Sequence, residues 1–147
     1  MREIKFRGRR IDNMQHTPRK FVYGSLLYLY KEDVDWTGKK VGSKKHIWFI
    51  IDESDYNTIV DKETIGQYTG LKDSEGTEIY EGDILESTAF GSEEIGKVTY
   101  SEDDAMFELE MDGVVLNFSN ESSKCWTVIG NIYENPELLE GDANGDT

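Results

Sequence analysis

The chain has one cysteine, two histidines and two prolines in 147 residues. The lone Cys125 excludes an intramolecular disulfide and any zinc cluster built from several thiolates. With only His16 and His46, a histidine-centred metal site would need carboxylates for its remaining ligands. His16 falls in a polar loop and His46 opens an apolar run, and structural or solvent-facing roles suit both. No apolar run approaches the roughly 20 residues of a membrane-crossing helix. The charged opening MREIKFRGRR is followed by no apolar leader core. The expected setting is a reducing cytoplasm, with no membrane partner. Glycine-rich phosphate loops are missing, and no serine, histidine and aspartate stand at a spacing that supports a nucleophilic triad. No catalytic residue, metal ligand or cofactor is assigned, and the expectation is a protein that is not an enzyme.

What the chain does have is aromatic bulk and charge. Aromatic residues are 12% of the chain against 37% hydrophobic in all. That is enough bulk for a compact core and too much for a chain disordered throughout. The net charge of −14 is unevenly spread. Residues 1–45 hold twelve Lys/Arg and five Asp/Glu, a net of +7; residues 46–147 hold four and twenty-five, a net of −21. A solvated acidic surface accounts for this. Attraction between the basic and acidic parts, within the fold or between subunits, is a sharper reading, and imitation of nucleic acid is the sharpest.

The hydrophobic pattern has period two along most of the chain, the mark of half-buried strands. Ile4 and Phe6 alternate with charged neighbours in residues 1–11, and residues 13–20 read as loop. Phe21–Tyr30 (FVYGSLLYLY) reads as a buried strand with Gly24 at a bulge. Lys31–Lys45 reads as an exposed, lysine-rich loop, and His46–Ile51 (HIWFII) as a central strand. Thr58–Val60 is a short strand, and Asp61–Thr64 a brief turn before Ile65. Asp73-Ser74-Glu75-Gly76 has the composition of a type I turn closed by a left-handed glycine, which makes Ile65–Leu85 a hairpin. Glu81-Gly82-Asp83 then redirects the chain, Gly82 through positive φ and Asp83 by bonding local amides. Short strands follow at Ile84–Ser87, Ile95–Tyr100, Met106–Met111, Val114–Phe118 and Cys125–Ile129, with Asp112-Gly113 as a two-residue hairpin turn. Five such strands predict a small SH3-like barrel. Ser119–Ser123 reads as a polar loop, Cys125 as a small buried hydrophobe, and Pro136 as the start of one helical turn.

The expected fold is mainly β with little helix, in one domain over residues 1–147. Its parts are N-terminal strands (1–64), a connecting hairpin (65–85), a small β-barrel (86–139) and a frayed tail (140–147). Within it, Asp73, Gly76, Gly82 and Asp83 are candidate turn-forming residues. Tyr68, Tyr80 and Tyr133 are candidate core or interface aromatics. Arg2, Lys5, Arg7, Arg9 and Arg10 form a candidate basic edge that could meet phosphate or an acidic protein surface. Glu78, Glu81, Asp83 and Glu86 could bind Mg²⁺ or Ca²⁺ if they converged. Strand alternation and the turn role of Asp83 account for them without a metal.

Three stretches carry a resemblance: MREIKFRGRRIDN at the start; Thr64–Gly76 and Glu78–Ile84 in the middle; and VIGNIYENP, Val128–Pro136, near the end. Together they resemble the YopX family of phage and prophage proteins. The family's opening has an aromatic-acidic pair after the FR, where this chain has Gly8-Arg9-Arg10. The resemblance implies a phage or prophage product in a bacterial cytoplasm, of no established activity, assembled from several subunits. It also implies more helix than the residue pattern supports, and the alternation decides for β. The reading is a non-enzymatic accessory protein that acts by protein–protein binding as a homo-oligomer, with a host or phage protein as a further partner. The alternative is a nucleic-acid-associated regulator that uses the basic N-terminal strand or an acidic, nucleic-acid-mimicking surface.

Overall fold

A computed structural model describes residues 1–11, 20–42 and 44–140. His16, most of the expected loop at 13–20 and the expected tail beyond Glu140 lie outside the described residues. In order, the elements are β1 (Phe6–Arg10), β2 (Phe21–Lys31), β3 (Lys45–Ile51), β4 (Asn57–Lys72), β5 (Glu78–Tyr80), β6 (Asp83–Ser87), β7 (Glu94–Ser101), β8 (Met106–Met111), β9 (Val114–Asn117), a one-turn helix α1 (Asn120–Ser123), β10 (Thr127–Asn131) and a 3-10 turn at Pro136–Leu138. The protein is mainly β, as the alternation predicts. Among the described residues no helix is long and apolar enough to cross a membrane.

The chain forms two compact units. One is Lys5–Ile65; the other joins Met1–Ile4 to Gly66–Thr147. In the first, β1, β2, β3 and β4 pair in sequence, and β1 also pairs with β4, which closes a small four-stranded barrel. Ile50 and Val60 are buried inside it. A Cβ at Gly8 would lie 2.8 Å from the Val60 side chain, so β1 can approach β4 only without a side chain there. Arg9 N donates to Thr64 Oγ1 at 2.8 Å beside it.

In the second unit the sheet order is β10-β6-β7-β8-β9, all antiparallel. The last strand returns beside the first, and the helical turn α1 separates the fourth from the fifth. This strand order is the one expected of an SH3-like barrel, while the barrel that closes by strand pairing is the four-stranded one of the first unit, where only N-terminal strands were expected. Its core gathers Ile79, Leu85, Val98, Leu109, Phe107, Phe118 and Trp126. Burying each such side chain contributes about 2 kcal/mol. The hairpin of β4 and β5, anticipated as a connector, lies in this unit from Gly66 onward.

Three local expectations need correction. Thr58–Val60 and Ile65–Leu71 belong to one strand, β4, and Asp61–Thr64 does not break it. The polar residues there include exposed Lys62 and Glu63, and Glu63 N donates to Asp61 Oδ1 at 3.1 Å. Ser119–Ser123 is not a plain loop. Ser119 caps α1 by accepting from Ser122 N, and Ser119 N donates to Ser122 Oγ in return. Serine replaces the usual glutamate of a reciprocal cap. Finally, Cys125 is exposed and lies in the turn after α1, ahead of β10. The neighbouring Trp126 takes the interior position instead, 1% exposed.

Candidate functional site

The hairpin between β4 and β5 brings most of the candidate residues together. Its tip is a tight turn. Gly76 N donates to the Asp73 carbonyl at 3.1 Å, Asp73 N to the Thr77 carbonyl at 2.9 Å, and Gly76 has φ +84. Asp73 is nearly buried and its carboxylate serves two parts of the chain. Oδ1 accepts from Glu75 N at 2.9 Å and Thr77 N at 2.8 Å, which holds the turn. Oδ2 accepts from Val128 N at 2.9 Å, fifty-five positions away on β10. Ser74 adds two more links to the same strand entrance: its N–H to the Trp126 carbonyl at 2.9 Å, and its hydroxyl to Thr127 Oγ1 at 2.8 Å. The turn composition announces the tip; the docking on β10 has no local signal.

At the other end of the hairpin, Glu81 N donates to the Gln67 carbonyl at 2.9 Å. Gly82, at φ +88, donates to the Val98 carbonyl and accepts from Ile132 N. Asp83 is buried, and its Oδ2 accepts from Tyr80 N at 2.8 Å. Tyr80 Oη donates to Glu78 Oε2 at 2.8 Å. Asp83 and Glu78, suspected as parts of a metal cluster, are thus tied to local protein donors. No group of three or more His, Cys, Asp or Glu side chains is placed to hold a metal among the described residues.

Tyr68 and Tyr80 are opposite each other in the β4–β5 ladder, both buried, with ring centroids 5.4 Å apart at 40°. Between this pair and Lys72–Glu78, three residues of β4 oppose one of β5. That bulge kinks the strand toward the turn. Tyr133 is half-buried, and its N–H donates to Asn131 Oδ1 at 3.0 Å. Asn131 was not singled out from the sequence, yet it organises this end. Its Oδ1 also accepts from Glu134 N, and its carbonyl accepts from Asn135 N. A Cβ at Gly130 would meet the Asn135 side chain at 2.5 Å. The GN…EN spacing was the available signal.

The basic residues do not form one edge. β1 has a neighbour on each side, β2 and β4. Arg7 is buried with its guanidinium 4.9 Å from the Phe21 ring centroid, a cation–π arrangement. Lys5 and Arg9 are half-buried, and only Arg2 and Arg10 of the five are exposed.

What faces outward on the first unit is aromatic. The register sets Tyr28 opposite Trp48 and Tyr30 opposite His46. Tyr28 and Trp48 rings are 4.5 Å apart, Tyr28 stacks on His46, and Tyr30 lies 5.3 Å from the same imidazole. Tyr28 Oη is hydrogen-bonded to His46 Nδ1. Tyr23, Tyr28 and Tyr30 are each more than 40% exposed. His46 therefore has a structural partner and a place in an aromatic ladder. On the second unit, a recess of about 680 Å³ opens between β7, the β8–β9 turn and Leu138–Leu139.

The family model described as YopX protein matches residues 6–140. A crystal structure of protein EF1440 from Enterococcus faecalis is similar, with 24% identity over 93% of this chain and 98% of that one, at a TM-score of 0.52. That likeness speaks for the fold alone. No curated protein matches the chain.

Proposed function

The chain belongs to the YopX family, and we propose that it is a non-enzymatic accessory protein acting by protein–protein binding as a homo-oligomer. The setting that goes with this reading is the cytoplasm of a bacterium carrying a phage or prophage. One observation carries the reading. The family's marker residues are spent on the fold, while large apolar side chains face outward. Asp73 holds three backbone amides, Asp83 caps Tyr80, and Tyr68 and Tyr80 pack inside. Outside stand Tyr23, Tyr28 and Tyr30 on β2. Tyrosines combine apolar area with a polar tip and suit interfaces. The nucleic-acid alternative has less support, because Arg7 of the expected basic strand is buried, with its guanidinium against the Phe21 ring.

Light scattering coupled to size exclusion tests the assembly. The expected mass is a multiple of 16.9 kDa, and Tyr28→Ser with Tyr30→Ser lowers it. A wild-type protein that stays at the monomer mass at every concentration refutes homo-oligomerisation. A gel-shift titration at low salt tests the alternative, since phosphate contacts weaken steeply with salt.

A further inference from the structure

We propose that the outer edge of β9, with the recess at its start, docks a basic, extended peptide segment of another protein by strand addition. This site is separate from the aromatic face of β2, and a monomer carries it equally well. β9 is the last strand of its sheet, and among the described residues no strand pairs with its other side. Natural sheet edges are blunted by lysine, proline or a covering segment. β9 reads Val-Val-Leu-Asn, all four residues exposed, with Val115 at 54%. It is short, which limits pairing with an identical edge but leaves room for a peptide that also fills the recess.

The backbone is set for pairing. The two-residue turn Asp112-Gly113 closes on the pair Met111 and Val114, which in such a hairpin exchanges its hydrogen bonds inward. The alternation then turns the N–H and C=O of Val115 and Asn117 to the free side. An added strand bonds to those groups and sets its side chains alternately on the two faces, one set beside Val115 and Glu110 and the other beside Val114 and Leu116.

The charge decides the occupant. Glu93, Glu94, Glu110 and Asp112 line the recess, and Lys97, the one cation lining it among the described residues, lies 3.6 Å from Glu110. Met111 and Leu139 give it apolar walls. A second copy docking β9 to β9 would bring these carboxylates together, whereas a segment of alternating basic and apolar residues presents its basic side chains on the face of Glu110 and its apolar ones on the face of Val114 and Leu116.

The test uses the full chain and a fluorescein-labelled alternating Lys-Val octapeptide, read by polarisation. Controls are the same peptide N-methylated at every residue, which has no N–H left to donate to the ladder from either edge, and a Lys-Gly octapeptide, which keeps the charge without the apolar side chains. The expected result is salt-sensitive binding of the first peptide, with at least tenfold weaker binding of both controls. Val115→Pro removes an outward N–H and is tolerated at an edge; it is expected to weaken binding about fivefold to tenfold, scaled from one lost hydrogen bond plus the clash of the ring. Glu93→Gln with Glu110→Gln is expected to weaken it several-fold at low salt only. Equal binding of all three peptides would mean mere attraction to an acidic chain and would overturn the proposal. So would an unchanged affinity in both variants.

Discussion

Replacing Asp73 by asparagine separates the two tasks of that carboxylate. An ionised carboxylate has two acceptor oxygens, and here one holds the turn at Glu75 and Thr77 while the other holds Val128. Asparagine has one acceptor oxygen and two donor hydrogens. If its oxygen stays on the turn, its NH2 faces the Val128 N–H, donor against donor. A hydrogen bond to a charged group is worth about 1.5–3 kcal/mol, and a stranded buried donor costs about 1–3 kcal/mol. Glu75 and Thr77 are exposed and can return to water, while Val128 is half-buried. Asp73→Asn is therefore expected to cost about 2 kcal/mol and Asp73→Ala about 3–4 kcal/mol, the latter a fall of roughly 10 °C in melting temperature at this chain length. Denaturant unfolding read by Trp126 fluorescence, in a Trp36→Phe, Trp48→Phe background, measures both. Hydrogen exchange locates the damage: in Asp73→Asn the Val128 amide exchanges faster by tenfold or more, and Glu75 and Thr77 keep their protection. If the Val128 amide is unmoved, or both variants lose less than about 0.5 kcal/mol, the cross-link from hairpin to β10 is not what holds these parts.

Two glycines of the same hairpin separate strain from space. Gly76→Ala has nothing within 4 Å of the new Cβ but must keep φ near +84, for about 1–2 kcal/mol; Gly66→Ala puts its Cβ 2.5 Å from the Glu81 carbonyl oxygen and is expected to cost more, since backbone must move, with asparagine rescuing position 76 and not 66 in thermal melts. In the 31–45 loop, Thr37 Oγ1 donates to Asp35 Oδ1 at 2.6 Å and the Thr37 amide at 2.8 Å, so the Asp35 carboxyl titrates below its usual 3.8. The stabilisation is present above the ordinary carboxylate range and is lost as pH falls through the lowered value, which the Thr37 and Lys39 amide shifts will report by NMR; a midpoint at or above 3.8 contradicts it. Cys125, being exposed, is expected to react with a thiol reagent in the native state at nearly the rate of the unfolded chain, and strong native protection would return it to the core.

Local chemistry made much of this fold legible. The Asp73–Gly76 turn, the Asp112-Gly113 hairpin and Pro136 at the first position of its 3-10 turn all follow from what those residues do to their own backbone. The failures share a cause. Exposed Lys62 and Glu63 in the middle of β4 look like a turn because a strand wet at that point shows no apolar alternation. Arg7 looks like surface because nothing in its own stretch shows that Phe21 will lie against it in a closed barrel. Asp73 looks like an ordinary turn residue because its third amide comes from β10. Pairings across fifty positions are made by the fold, and no window of sequence holds both partners.

The division of the chain has a consequence for how it is made. Lys5–Ile65 is contiguous and emerges during synthesis with all four strands of its barrel, ahead of Gly66. Met1–Ile4 emerges earlier still but belongs with Gly66–Thr147. These first four residues therefore wait while the whole of Lys5–Ile65 is made before the segment they pack with begins to emerge. A change at Met1–Ile4 is then felt in the unit that follows the barrel, and the barrel encoded in between can form undisturbed.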